Sequence, residues 1–152
     1  MTTIEKPIAL AGFPVVTTVS VQWGDQDVFG HANNVSYFRW FESNRMEYAV
    51  RCGMAAAPGG SQLTPILVKI TCNYRQQLRH PDDLYIGGRM IRIGTSSMTV
   101  EHVVYSQQQQ ALVADGESIM VLFDYQTQRS RTVPAELRSS IEALEGRPFE
   151  TQ

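Results

Sequence analysis

The sequence predicts an α+β protein in which a curved antiparallel β-sheet wraps around one long central helix. Three observations lead to this expectation. Residues 34–51 contain neither Gly nor Pro and carry aromatic side chains around much of a helical circumference. Four segments with alternating apolar and polar side chains follow, and short turns separate them. Because a single sheet must then cover one apolar helix, the sheet is expected to curl around it.

The first strand is expected over residues 15–23, where apolar and polar side chains alternate. The side chains expected on its buried face are Val15, Thr17, Val19, Val21 and Trp23.

The helix over residues 34–51 would be about 27 Å long. Its apolar arc is wider than that of a surface helix, so the helix is expected to be largely enclosed. Gly53 is a plausible stop signal, and residues 55–61, AAAPGGS, predict a loop. The aromatic and apolar side chains that define this arc are Tyr37, Phe38, Trp40, Phe41, Met46 and Tyr48.

The rest of the chain predicts four strands and a short amphipathic helix. The short turns between the strands predict an antiparallel meander, and Gly87 and Gly88 suggest a bend or bulge within one strand. The last helix starts near Pro134, a residue favoured in the first turn. The strands are expected over 65–74, 84–93, 98–105 and 111–123, and the apolar stripe of the helix is Leu137, Ile141 and Leu144.

Composition limits the class of protein. The 152 residues fit one domain, 43% of them are apolar, and the formal net charge is −2, which is typical of a soluble globular chain. Nothing indicates a basic surface for nucleic acid or a segment that could span a membrane. Cys52 and Cys72 lie in no metal-binding or redox spacing and are expected to be free thiols. We therefore expect a cytoplasmic protein.

One polar cluster precedes the helix, in the stretch WGDQDVFGHANNVSYFRWFESNR. Turn formation by the two aspartates and Gly30, with capping by Asn33 or Asn34, would explain these residues without any function. A calcium loop is excluded, because Phe29 and Ser36 stand where oxygen ligands are required. The three histidines are scattered along the chain, so no metal site is expected.

A chemical role is also open to the cluster. The first N–H groups of a helix are unpaired and can bind a developing oxyanion. A carboxylate lies a short loop upstream of such a helix end. A carbonyl carbon held between them could be attacked by water or by the carboxylate, which suits acyl-transfer hydrolysis.

The same stretch resembles the signature of the hotdog-fold acyl-CoA thioesterases of the 4-hydroxybenzoyl-CoA thioesterase type. Shared features are Asp-x-Asp, Gly-His-x-Asn-Asn, a Tyr and a Glu-x-x-Arg on the central helix. The stretches NYRQQLRHPDDLYIGGRMIRIGTSSMTVEHVVY and ADGESIMVLFDYQTQRSRTVPAELRSSI look like later strands of that family and the entry to its last helix. The resemblance covers about residues 15–145 and implies one hotdog thioesterase domain over residues 1–152.

The resemblance implies roles for individual residues. The second aspartate of the motif is the catalytic carboxylate of the family, which maps onto Asp27, as nucleophile or general base. The family's oxyanion donor is a backbone N–H near Asn34, and His31 would orient Asp27 or the water. The version of the motif with His31, Asn33 and Asn34 resembles the branch of small general acyl-CoA thioesterases. No cofactor is implied, because the CoA thioester is the substrate.

Coenzyme A contacts in the family come from basic residues that vary between members. The candidates here are Arg75, Arg79, Arg89 and Arg92. The resemblance also implies a homodimer or a dimer of dimers, with sheets joined edge to edge and the active site at the seam. Two alternatives remain: a hotdog acyl-thioester dehydratase, for which Asp27 and His31 have a suitable spacing, and a non-catalytic acyl-CoA-binding domain.

Overall fold

The computed structural model describes residues 5–54 and 63–150. The loop expected at 55–61 lies outside the described residues. Short 3₁₀ turns at Ile8–Leu10 and Trp23–Asp25 accompany the larger elements. These are β1 (Val15–Ser20), α1 (Asn34–Arg51), β2 (Leu63–Tyr74), β3 (Asp83–Ile93), β4 (Ser97–Ser106), β5 (Ala111–Asp124), β6 (Arg129–Ser130) and α2 (Ala135–Glu145).

The strands form one antiparallel sheet in the order β1-β3-β4-β5-β2, and the short β6 pairs with β5. Strands β3, β4 and β5 make the expected meander, but the expectation that β2 begins it is wrong. Residues 75–82 carry the chain across the sheet, so β2 pairs with β5 at one edge and β1 pairs with β3 at the other. Alternation identified β2 as a strand, but it carries no information about which neighbour a strand chooses.

The first strand is shorter than expected. It ends at Ser20, and Trp23 is 75% exposed instead of buried. The chain turns because Asp25 Oδ2 accepts the Gln22 N–H at 2.7 Å, which closes a capping box over the 3₁₀ turn.

Helix α1 packs against the sheet along one face, with side chains three and four residues apart buried. The expectation of a largely enclosed helix is wrong for the isolated chain. Val35, Met46 and Val50 are between 52% and 65% exposed on the opposite face. The helix ends as expected, with Gly53 in the left-handed conformation at φ 79° just beyond Cys52.

The glycine pair in β3 serves close packing and not a bulge. Pairing continues through Gly87 and Gly88, and the register shift lies further on, between Met90 and Arg92. A Cβ added at Gly88 would lie 2.1 Å from Asn44 Oδ1 of the helix. Gly88 therefore allows α1 to approach the sheet.

A buried polar network joins the middle of α1 to the sheet. Asn44 Nδ2 donates to the Ile86 carbonyl at 2.9 Å, and Asn44 Oδ1 lies 2.8 Å from His102 Nδ1. Ser118 Oγ lies 2.9 Å from His102 Nε2 and accepts a hydrogen bond from Arg45 at 3.2 Å. Burial, together with the positive charge of Arg45, lowers the pKa of His102 to about 3, so its imidazole is neutral.

The C-terminal end of α1 is closed by α2 and the residues after it. Tyr48 is fully buried, and its hydroxyl donates to Glu145 Oε1 at 2.6 Å. The same oxygen accepts the Met90 N–H at 2.5 Å, and Arg147 donates to the Met90 carbonyl at 2.8 Å. These contacts satisfy the backbone groups that the β3 bulge leaves unpaired. The stripe on α2 packs as expected, with Ile141 fully buried.

Within the described residues, no helix is long and apolar enough to cross a membrane.

Candidate active site

The polar cluster forms a compact hairpin directly before α1. The Asp27 N–H donates to the His31 carbonyl at 2.9 Å, and the Gly30 N–H donates back to the Asp27 carbonyl at 3.0 Å. Gly30 has a φ of 78°, the left-handed turn conformation that the sequence predicts. The Asn33 N–H donates to the Asp25 carbonyl at 2.7 Å, which ties the hairpin to the start of the helix.

The two aspartates have different environments. Both oxygens of Asp25 are engaged locally, by the Gln22 N–H at 2.7 Å and by the Ser36 hydroxyl at 3.3 Å. Asp27 Oδ1 accepts the Phe29 N–H at 2.9 Å, while its other oxygen accepts no hydrogen bond from the described residues. Asp25 therefore holds the turn, and Asp27 retains a carboxylate oxygen that can act on another molecule.

The start of α1 leaves the Asn34 backbone N–H available. Asn33 is the N-cap, and its side-chain oxygen accepts the Val35 N–H at 2.9 Å. Its carbonyl accepts the Ser36 N–H at 3.0 Å. The Asn34 N–H donates to no acceptor among the described residues. It is thus a free donor at the positive end of the helix dipole.

A cavity of about 300 Å³ opens beside this end of the helix. Tyr74, at the end of β2, donates its hydroxyl to the Asn34 carbonyl at 3.3 Å and so fixes one wall. The lining residues are His31, Ala32, Asn34, Tyr37, Tyr74, Arg75, Gln76 and Gln77. Asp27 lies in the adjoining hairpin but is not among them.

His31 faces an arginine rather than a carboxylate. Its Nε2 lies 3.2 Å from a terminal nitrogen of Arg79. Because a guanidinium can only donate hydrogen bonds, Nε2 must accept, which leaves the imidazole proton on Nδ1. Arg79 also lines a second cavity of about 500 Å³, which shares Gln76 and Gln77 with the first.

The four arginines proposed for coenzyme A do not lie together. Arg75 lines the first cavity and pairs with Asp115 at 2.8 Å, which lowers the pKa of that carboxyl. Arg79 lies against His31. Arg89 pairs with Glu101 at 2.8 Å, and its guanidinium carbon lies 4.4 Å from the centre of the Phe13 ring. Arg92 is exposed at the end of β3 that packs near α2.

Sequence reasoning missed the wall of the cavity. Tyr74, Gln76 and Gln77 follow the last inward-facing residue of β2, but their position at the helix end depends on β2 lying at the sheet edge. Tyr37, which the sequence analysis placed on the apolar face of the helix and in the motif, also lines the cavity. In the described part of the chain, no three His, Cys, Asp or Glu side chains are grouped as a metal site would require.

Comparison with known proteins identifies the family. A family model for the thioesterase-like superfamily matches residues 21–141, which include the hairpin, α1 and strands β2 to β6. The chain belongs to this superfamily, and the α+β hotdog fold expected from the sequence, a curled antiparallel sheet with its helix, is confirmed.

Individual relatives agree with this assignment. The chain is 24% identical to the long-chain acyl-CoA thioesterase FadM of Escherichia coli K12, over 84% of this chain and 97% of FadM. It is 30% identical to the uncharacterized protein YsmA of Bacillus subtilis 168, over 60% of each protein, so that match spans less than two thirds of YsmA.

Solved structures are similar over most of the chain. A thioesterase of Thermus thermophilus, solved in complex with coenzyme A and Zn, has a TM-score of 0.79 and is 28% identical, covering 91% of this chain and 99% of that one. The putative thioesterase PA2801 of Pseudomonas aeruginosa has a TM-score of 0.75 at 27% identity, covering 85% and 98%.

Proposed function

We propose that the protein is an acyl-CoA thioesterase that hydrolyses small or medium acyl-CoA substrates to the free acid and coenzyme A. The observation that carries the proposal is the free Asn34 N–H at the start of α1, beside a cavity and next to the hairpin that holds Asp27. Membership of the thioesterase-like superfamily supports the same chemistry.

The proposed reaction uses two parts of the site, a hydrogen-bond donor and a carboxylate, which act on different atoms. The Asn34 N–H and the helix dipole stabilise the negative charge that develops on the thioester oxygen. The free oxygen of Asp27 either attacks the carbonyl carbon or removes a proton from the attacking water. In the general-base route, water adds to the carbonyl carbon, the carbon–sulfur bond breaks, and the proton that Asp27 took from the water passes to the leaving thiolate. In the nucleophilic route, the carbon–sulfur bond breaks to leave an acyl–Asp27 anhydride, and water then hydrolyses this anhydride to the free acid, regenerates the carboxylate and supplies the proton of the thiol. Neither route requires a metal ion or a resident cofactor.

His31 favours hydrolysis over the dehydratase alternative. A dehydratase would use a histidine together with the carboxylate, whereas the Nε2 of His31 accepts from Arg79. We propose that His31 orients the substrate or water from the rim of the cavity. Arg79 and Arg75 are the arginines that we propose to meet coenzyme A phosphates, and their position in the cavity linings supports this choice.

We also propose that the protein works as a homodimer or a dimer of dimers, joined through the edge of β2. An unpaired edge strand of this length invites pairing with another chain. Leu67 and Val68 on β2 are 39% and 57% exposed. Light scattering at micromolar concentration should give at least twice the mass of one chain. A single-chain mass would contradict this part of the proposal.

The function is tested by thiol release from a panel of acyl-CoAs of increasing chain length. Asp27→Asn protein purified in the same way is the control for contaminating thioesterases. We expect release by the wild type, greatest for small or medium chains, and little release by the variant. Binding of acyl-CoA without thiol release from any member of the panel would favour the non-catalytic alternative and contradict the proposal.

A further inference from the structure

Two tyrosines on the same face of α1 differ in what their hydroxyl groups contact. Tyr37 and Tyr48 are both buried, with 3% and 0% of their surface exposed. The Tyr48 hydroxyl donates to Glu145. The Tyr37 hydroxyl forms no hydrogen bond with the described residues, although its neighbour Tyr74 donates to the Asn34 carbonyl. A tyrosine buried to this extent usually satisfies its hydroxyl within the protein, so the lack of a partner requires an explanation.

The cavity provides that explanation. Among the side-chain nitrogen and oxygen atoms of the described residues, only Arg89 Nε is fully buried and without a hydrogen-bond partner. The Tyr37 hydroxyl also lacks a partner but is not fully buried, so it retains access to solvent. Tyr37 lines the 300 Å³ cavity beside Asn34, which is where that access lies.

The direction of the side chain places this hydroxyl near the helix start. Side chains on an α-helix point back towards its N-terminus and cover the preceding turn. Tyr37 is three residues after Asn34, so its ring extends towards the turn that holds the free N–H. The ring is fixed by neighbours, with centroids 4.9 Å from both Trp40 and Tyr74.

We propose that the Tyr37 hydroxyl is a second donor to the thioester carbonyl oxygen and acts together with the Asn34 N–H. This inference rests on the proposed function and adds a catalytic residue to it. An apolar acyl chain against the hydroxyl would leave a buried donor unsatisfied, whereas a carbonyl oxygen satisfies it. The acceptor strengthens as negative charge develops, so the contact favours the transition state over the ground state.

The protonation state of Tyr37 agrees with a donor role. Burial, and then the nearby Cys72 and Tyr74, raise its pKa to about 12. The hydroxyl therefore keeps its proton throughout the pH range in which a thioesterase works, and it can donate a hydrogen bond without acting as a base.

Tyr37→Phe tests the proposal, with Tyr48→Phe as the matched control on the same helix face. Loss of one oxyanion donor lowers kcat by roughly 10²- to 10³-fold. We expect that loss for Tyr37→Phe with every acyl-CoA that the wild type hydrolyses, with KM nearly unchanged. Thermal unfolding should be close to wild type. Tyr48→Phe should show the reverse pattern, with a lower Tm and an unchanged kcat.

The outcomes separate the two proposals. If the wild type releases thiol and Tyr37→Phe keeps its kcat, the role of Tyr37 is wrong while the proposed function stands. A raised KM with unchanged kcat would also overturn the role, because the hydroxyl would then contact only the bound ground state. If the wild type hydrolyses no acyl-CoA, both proposals fail together.

Discussion

The two ends of α1 carry similar residues but differ in whether their polar groups have hydrogen-bond partners within the chain. At the C-terminal end, the Tyr48 hydroxyl, the Met90 backbone and the Glu145 carboxylate satisfy one another, and α2 covers them. At the N-terminal end, the Asn34 N–H and the Tyr37 hydroxyl contact no partner among the described residues and border a cavity. About three turns of helix separate the tyrosines.

The difference separates the polar groups that stabilise the fold from those that remain available to a ligand. Every polar group satisfied within the chain contributes to one packed state, and a group reserved for a ligand cannot contribute in the same way. Variants of the satisfied groups at the C-terminal end should therefore lower stability, and variants of the free groups at the N-terminal end should lower activity.

The largest stability effect is expected at the C-terminal end. Tyr48→Ala should lower the free energy of unfolding by about 3–5 kcal/mol, the range for removing a buried aromatic ring. It also leaves Glu145 without its hydroxyl donor. Urea unfolding measures the loss, and activity per folded molecule should stay near wild type. A loss below about 1 kcal/mol would show that the C-terminal end of α1 does not stabilise the fold in the way argued here.

The buried middle of the helix should make stability depend on pH. His102 is neutral in the folded state, with a pKa lowered to about 3, and gains a proton at about 6.5 when unfolded. Below pH 6.5 the unfolded state binds more protons, so stability falls as the pH falls towards 3. Between pH 6.5 and 4.5 this amounts to about 2–3 kcal/mol.

His102→Gln is the control for that pH dependence, because glutamine keeps a donor and an acceptor near Asn44 and Ser118 but does not titrate. Urea unfolding at several pH values should show a flatter acid slope for this variant. Parallel slopes for the two proteins would exclude His102 as the source.

A smaller effect is expected from the helix cap at the open end. Asn33→Ala removes the oxygen that accepts the Val35 N–H and should cost about 1 kcal/mol of unfolding free energy. Asn33→Asp retains an acceptor oxygen and should recover most of this stability. An alanine variant as stable as wild type would mean that the cap is dispensable.

Chelation is expected to have no effect. The proposed chemistry uses a carboxylate and a helix end, so thiol release should be unchanged after treatment with EDTA. Loss of activity that returns on addition of a divalent metal would contradict this mechanism.

Local patterns predicted the elements of the fold better than their arrangement. Alternation and the absence of Gly and Pro indicated α1 and the strands, and the turn at Gly30 was expected from its neighbours. The edge position of β2 could not be predicted, because strand pairing depends on long-range contacts. Gly88 looked like a bulge for the same reason, since its contact, Asn44, is distant in sequence.

The candidate site was predictable to a similar extent. Asp27 and Asn34 follow from the motif and from the chemistry of a helix end. The free hydroxyl of Tyr37 could not be predicted, because a sequence does not show whether a buried tyrosine finds an acceptor. The same limit applies to Arg75, whose partner Asp115 lies on another strand.

The central claim is that Asp27, at the open end of α1, carries out the chemistry. The most direct test compares kcat for Asp27→Asn and Asp25→Asn with wild type, using one acyl-CoA at several pH values because the aspartates are close in sequence. Asp27→Asn should lower kcat by roughly 10²- to 10⁴-fold and leave coenzyme A affinity intact, while Asp25→Asn costs far less. Equal thiol release by wild type and Asp27→Asn across that pH range would show that Asp27 is structural and would contradict the account.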